Sequence, residues 1–151
     1  MKITDILKPE CVRVPLHATD KFAAITELVD VLNEHGELTN REEVLQSVLA
    51  RERTRSTGIG MGLAVPHGKS RGVESLVMAI GKAESRIEFE SVDGRPCYFI
   101  VLLASPVDTT GPHIQSLAHI SRLWQMDSFR TAVVQAPTAE ELYAAIARYQ
   151  P

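Results

Sequence analysis

The chain has 151 residues, 44% of them hydrophobic, with a formal net charge of −3. That length fits one globular domain with a real core, and the mixed charge signs, with no basic run beyond Arg51, Arg53 and Arg55, exclude a bulk nucleic-acid binder. The start Met1-Lys2-Ile3-Thr4-Asp5 holds no apolar signal core and no run approaches ~20 apolar residues, which predicts a soluble, cytoplasmic protein without stable membrane insertion.

Cys11-Val12-Arg13-Val14 reads as a short strand. Thr19 and Asp20 offer N-caps for a helix carrying Phe22, Ile25, Leu28, Val29 and Leu32 at helical spacing, with Gly36 as its C′ residue. Thr39-Asn40-Arg41-Glu42 has the form of a capping box and opens a second helix. Val44, Leu45, Val48 and Leu49 are its apolar stripe, and Arg51 and Arg53 fall in its last turn, where cations complement the helix dipole. Further strands are Leu63-Ala64-Val65, Ser75 to Lys82, an edge strand with Ile87 and Phe89, and Cys97 to Ala104, the most apolar run. An Asp93-Gly94 turn precedes the last.

Gly111-Pro112 opens a helix to about Gln125, and Asp127 or Ser128 a short one through Val134. Thr138-Ala139-Glu140-Glu141, a second capping box, starts the C-terminal helix. Cys11 and Cys97, each in an apolar strand, read as buried free thiols rather than a disulfide. The element order predicts an α/β fold. It comprises a mixed β-sheet of about five strands with helices packed on both faces, in a single domain over residues 1–151.

Chemistry concentrates in residues 58–69, Gly58-Ile59-Gly60-Met61-Gly62-Leu63-Ala64-Val65-Pro66-His67-Gly68-Lys69. One imidazole stands between a proline and a glycine. The glycines before it let backbone N–H groups approach an anion closely. A neutral imidazole near pH 7 can attack phosphorus, so His67 is a candidate carrier of a phosphoryl group. A glycine-rich turn with an ordinary surface histidine is the competing reading of the same residues.

His113 lies in the first turn of its helix, on the face shared by Leu117, Ile120 and Trp124, and so points inward. His119 falls about 120° away and is expected to face water. The helix start adds free N–H groups and a positive dipole end beside His113. Arg51 is a candidate phosphate clamp, with helix-end charge compensation as its alternative. Ser56 and Thr57, with Gly58 and Gly60, are candidates for a phosphate-binding loop. The histidines at 17, 35, 67, 113 and 119 show no metal-ligand spacing, so neither a metal nor a cofactor is expected.

Arg51-Glu52-Arg53, Ser56-Thr57-Gly58-Ile59-Gly60 and Ala64-Val65-Pro66-His67-Gly68-Lys69 closely resemble the EIIA domains of the bacterial phosphotransferase system, fructose/mannitol type. The resemblance spans essentially the whole chain. It implies that His67 accepts phosphate from the small carrier HPr or its nitrogen-branch relative. It also places the family's active-site arginine on Arg51 and its second active-site histidine on His113. Two positions depart from the pattern: Arg55 stands where the nitrogen-regulatory branch more often has a small residue, and Met61 where an asparagine is common.

No fused domain is expected beyond Pro151, and in this the chain looks like the free-standing nitrogen-regulatory EIIA proteins. The resemblance then implies regulation of target proteins through phosphorylation-dependent binding. Two other readings stand beside it. One is a sugar-specific EIIA passing phosphate to an EIIB for uptake. The other is a hydrolase using His67 and His113, for which the sequence places no convincing carboxylate.

Overall fold

The computed structural model describes residues 2–150. A short 3-10 turn, Ile3–Asp5, leads into β1 (Leu7–Leu16), α1 (Lys21–Glu34) and α2 (Arg41–Thr54). Then come β2 (Gly58–Gly60), β3 (Leu63–Ala64), β4 (His67–Lys69), β5 (Val77–Ile87) and β6 (Cys97–Ser105), followed by α3 (Gly111–Trp124), α4 (Asp127–Gln135) and α5 (Ala139–Tyr149). The sheet runs β1-β5-β6-β3-β2, with β4 also pairing β6. It is mixed: β1 with β5 and β6 with β3 and β4 are parallel, whereas β5 with β6 and β2 with β3 are antiparallel.

Six strands appear where the pattern predicts about five, and three local causes account for it. Leu63 pairs with Phe99 and His67 with Leu103, so β3 and β4 continue one register along β6. Pro66 lies between them; it has no N–H to give the ladder, and the strand is split there. The three residues Gly58–Gly60 add β2, which pairs antiparallel with β3. The expected edge strand at Ile87 is instead the end of β5, reached after a register shift beyond Lys82, and Phe89 is buried past it.

Side chains alternate across a strand, which assigns the helices to two faces. On β6, Phe99 stacks on Trp124 of α3 with centroids 4.8 Å apart, and Phe129 of α4 meets it edge-on. Ser105, on the same face, meets His113. On β4, Lys69 reaches Thr110 at the start of α3, which places His67, two residues away, on that face too. Gly68 turns to the other face, against the backbone of α2 at Ser47 and Val48. α1 packs on α2 and on β1 and β5.

Helix ends follow short polar signals. Asp20 caps α1 by accepting from Ala23 N, and Gly36 follows it with φ +73°. Thr138 caps α5 by accepting from Glu141 N. The cap of α2 is Asn40 rather than Thr39: Asn40 Oδ1 accepts from Glu43 N. The N–H groups of Thr39 and Asn40 both donate to Gly72 O, so no free amide remains for Glu42 to complete the expected box. Phe22 departs from the core stripe, being 40% exposed with the Lys21 ammonium and Arg53 guanidinium over its ring. Cys11 and Cys97 are free and buried.

Gly68 is the tightest joint between α2 and the sheet. A Cβ there would lie 3.0 Å from Val48 N and 3.1 Å from Ser47 C, both backbone atoms that cannot step aside. Gly68→Ala is expected to lower unfolding free energy by about 1–3 kcal/mol in urea titration.

Candidate active site

His67 opens β4 immediately after the Pro66 break. Its Nδ1 lies 2.7 Å from the carbonyl oxygen of Val65. A carbonyl only accepts, so the neutral ring carries its proton on Nδ1 and leaves a lone pair on Nε2. The ring is half-buried. Burial lowers its pKa from the ordinary 6.5, and the charge of Arg51 pushes the same way. The Val65 carbonyl and Glu52 act in the opposite direction without cancelling the effect. His67 is therefore a neutral base at pH 7.

His113 stands in the first turn of α3, 4% exposed. Its ring centroid is 5.3 Å from that of His67, at an interplanar angle of 67°. Ser105 Oγ, fully buried at the end of β6, lies 2.7 Å from His113 Nδ1. When that hydroxyl donates, the neutral ring holds its proton on Nε2, a donor available to an anion. Burial, with smaller contributions from His67 and Lys69, pushes the His113 pKa down to about 4. Lys69 Nζ donates to Thr110 Oγ1 at 2.7 Å, setting a cation beside the positive end of α3.

Arg51 sits in the last turn of α2. One of its guanidinium nitrogens donates to the Arg55 carbonyl at 2.9 Å, and its charge still weighs on His67. The helix-end role and proximity to the imidazole therefore coexist.

In the expected phosphate-binding loop the two hydroxyl groups are bonded within the protein. Ser56 Oγ donates to the Phe89 carbonyl and accepts from Gly58 N. Thr57 gives both its N–H and its hydroxyl to Glu52. Gly58 packs against Ser91, and Gly60, at φ +110°, against Asp93. These groups brace the strand pair behind the site, and their donors are already engaged. His119 also departs from expectation. It is half-buried rather than turned to water, and its Nδ1 is buried. Among the described residues no group of three or more His, Cys, Asp or Glu could hold a metal ion.

Ser105 bonds to His113, Lys69 acts on the same ring and Glu52 on His67, and none of the three has a role assigned from the sequence. Strand alternation would have paired Lys69 with His67, but a strand of three residues leaves no periodic signal. Nothing local marks Ser105, and although Glu52 lies inside the Arg51-Glu52-Arg53 run, only packing sets its burial against Thr57 and Lys21.

Residues 5–149 match the family described as the phosphoenolpyruvate-dependent sugar phosphotransferase system, EIIA 2. The chain belongs to this family. It is 32% identical over 149 residues to a nitrogen regulatory protein of Bradyrhizobium diazoefficiens, covering 97% of this chain and 95% of that one. The fructose-specific EIIABC component of Bacillus subtilis is 30% identical over 94% of this chain, which spans only 22% of that protein's length. The nitrogen regulatory protein IIA-Ntr of Neisseria meningitidis superimposes with a TM-score of 0.87 at 28% identity, over 95% of this chain and 98% of that one. Mannitol enzyme IIA of Escherichia coli, solved in complex with phosphorylated enzyme IIB, shares the fold with a TM-score of 0.80 at 19% identity, over 95% and 99%. Among the described residues no helix is long and apolar enough to cross a membrane.

The paired neutral imidazoles of this EIIA chain carry a pH signature. An unfolded histidine binds its proton near pH 6.5, whereas folded His113 does so only at about 4 and folded His67 below 6.5. Between those values the unfolded state holds more protons, so stability rises with pH there. It is fully present above pH 6.5 and is lost as pH falls toward 4. Urea unfolding between pH 7 and about pH 5, above the carboxylate range, is expected to show this decline, and His113→Asn to flatten it.

Proposed function

We propose that this chain is a phosphohistidine carrier that receives a phosphoryl group on His67 Nε2 from an HPr-like phosphocarrier. The observation that carries the reading is the Nδ1 bond to Val65. It leaves Nε2 as the one free nucleophilic nitrogen, in a ring that is neutral at pH 7. In the transfer the Nε2 lone pair forms a bond to phosphorus. The bond from phosphorus to the donor nitrogen breaks, and its electron pair stays on the donor. His67 keeps its Nδ1 proton throughout. The neutral His113 ring supplies an N–H donor and Arg51 a positive guanidinium to the phosphoryl oxygens, where charge is concentrated in the transition state.

Phosphorylation brings about −2 of charge to a site of neutral imidazoles. Such a change repels one partner and admits another. Near-complete mutual coverage with a nitrogen regulatory protein supports regulation of target proteins by phosphorylation-dependent binding. The 30% identity to the EIIA portion of a fructose-specific component supports the second reading, in which His67 passes phosphate to an EIIB.

With phosphoenolpyruvate, enzyme I and the HPr-like carrier, intact mass should show one acid-labile phosphoryl group on wild type and none on His67→Ala. A phosphorylated His67→Ala would overturn the assignment. Arg51→Ala should slow the transfer by ~2–4 kcal/mol of transition-state stabilisation with the fold unchanged, read by quench-flow. Transfer onward to an EIIB, or capture of a target only by unphosphorylated protein, separates the two readings.

A further inference from the structure

Glu52 is one of the most deeply buried charged groups in the chain, 2% exposed, yet the transfer chemistry does not use it. Its two carboxylate oxygens take both donors of Thr57: Oε2 accepts from Thr57 N at 2.9 Å and Oε1 from Thr57 Oγ1 at 2.5 Å. The Thr57 carbonyl accepts from Val65 N at 3.0 Å. Val65 in turn offers its own carbonyl to His67 Nδ1. A continuous line of contacts thus runs from one buried carboxylate to the phosphoacceptor ring.

A carboxylate is an expensive way to brace a loop. Removing it from water costs several kcal/mol, and a buried ion pair is often replaced by neutral groups without loss of stability. Here the charge is kept, with Lys21 Nζ of α1 3.4 Å from Oε2 and 3.1 Å from Glu90 Oε1. Glu52 is also the immediate neighbour of Arg51 on α2. One helix turn therefore sets both the cation beside His67 and the anchor of the strand that orients it.

We propose that Glu52 is a positioning residue for His67: its carboxylate, clamped on Thr57 and balanced by Lys21, fixes the Val65 carbonyl that holds the His67 ring with Nε2 free. The kinetic part of this rests on the carrier reading above; the structural part does not. The charges acting on the His67 ring are Arg51 and Glu52, both from α2; His113 of α3 lies edge-on to it, and Lys69 of its own strand acts on His113. Of these, Glu52 alone favours the protonated ring.

The test uses the full unphosphorylated chain with ¹⁵N-labelled histidine. Wild-type His67 should show the Nδ1–H tautomer. Glu52→Gln, which keeps the shape and removes the charge, should lower the His67 pKa and leave His113 unmoved. It should also slow phosphoryl acceptance about tenfold, short of the roughly hundredfold that a misplacement of about 1 Å can cost. Thr57→Ala, a milder change, should mix the His67 tautomers and slow acceptance several-fold; it decides alone if Glu52→Gln does not fold. Wild-type tautomer and pKa at His67 in the folded variants, with only melting temperature reduced, would make Glu52 a structural residue and overturn the proposal. If wild-type His67 takes no phosphate at all, the carrier reading fails, while tautomer and pKa still decide the role of Glu52.

Discussion

The bond from His67 Nδ1 to the carbonyl of Val65, two residues upstream, is the interaction on which the site depends. It selects the tautomer, occupies one ring nitrogen and presents the other. It exists because the chain cannot stay in a regular strand at Pro66, which has no N–H for the ladder. The interruption divides one parallel strand into β3 and β4 without losing register against β6. What looks like a defect in the sheet turns a backbone carbonyl back onto the side chain that follows it.

From that point the packing on both faces acts on one ring. Behind β4, α2 comes so close that a Cβ at position 68 would crowd its backbone, and its C-terminal turn brings Arg51 toward His67. On the other face, α3 begins where β6 ends, so Ser105 and His113 meet at 2.7 Å and the second imidazole lies beside the first. The aromatic stack of Phe99 on Trp124, with Phe129 edge-on to both, secures the far end of α3 and with it the direction in which His113 points. Trp124 Nε1 donates to the Met61 carbonyl, tying the same helix to the glycine-rich turn before β3.

Electrostatics follow from this burial. Two imidazoles this close, both partly withdrawn from water, are both uncharged at neutral pH. Each neutral ring keeps a single N–H, so together they leave one nucleophilic nitrogen and one hydrogen-bond donor. In the proposed carrier, a phosphoryl group between them would bring negative charge next to the cations Arg51 and Lys69 and the start of α3. The same features that depress proton binding in the resting protein thus favour a dianion.

The sequence by itself determined the parts whose physics is local. Caps at Asp20 and Thr138, the C′ glycine at position 36, the apolar stripes and the Pro-His-Gly run announce their elements within a few residues, because each rests on hydrogen bonds or periodicity inside one element. His67, His113 and Arg51 could be singled out for the same reason. Only the tertiary structure decided what surrounds them. Ser56 donates to the Phe89 carbonyl, 33 residues away, so a hydroxyl that looks free in the sequence is already engaged, and Lys21 reaches Glu90, 69 residues away. β4 is too short to show a period, and Ser105, Lys69 and Glu52 take their roles from which faces the folded sheet brings together. Local pattern records what a residue prefers; long-range packing decides which of its polar groups are left for chemistry.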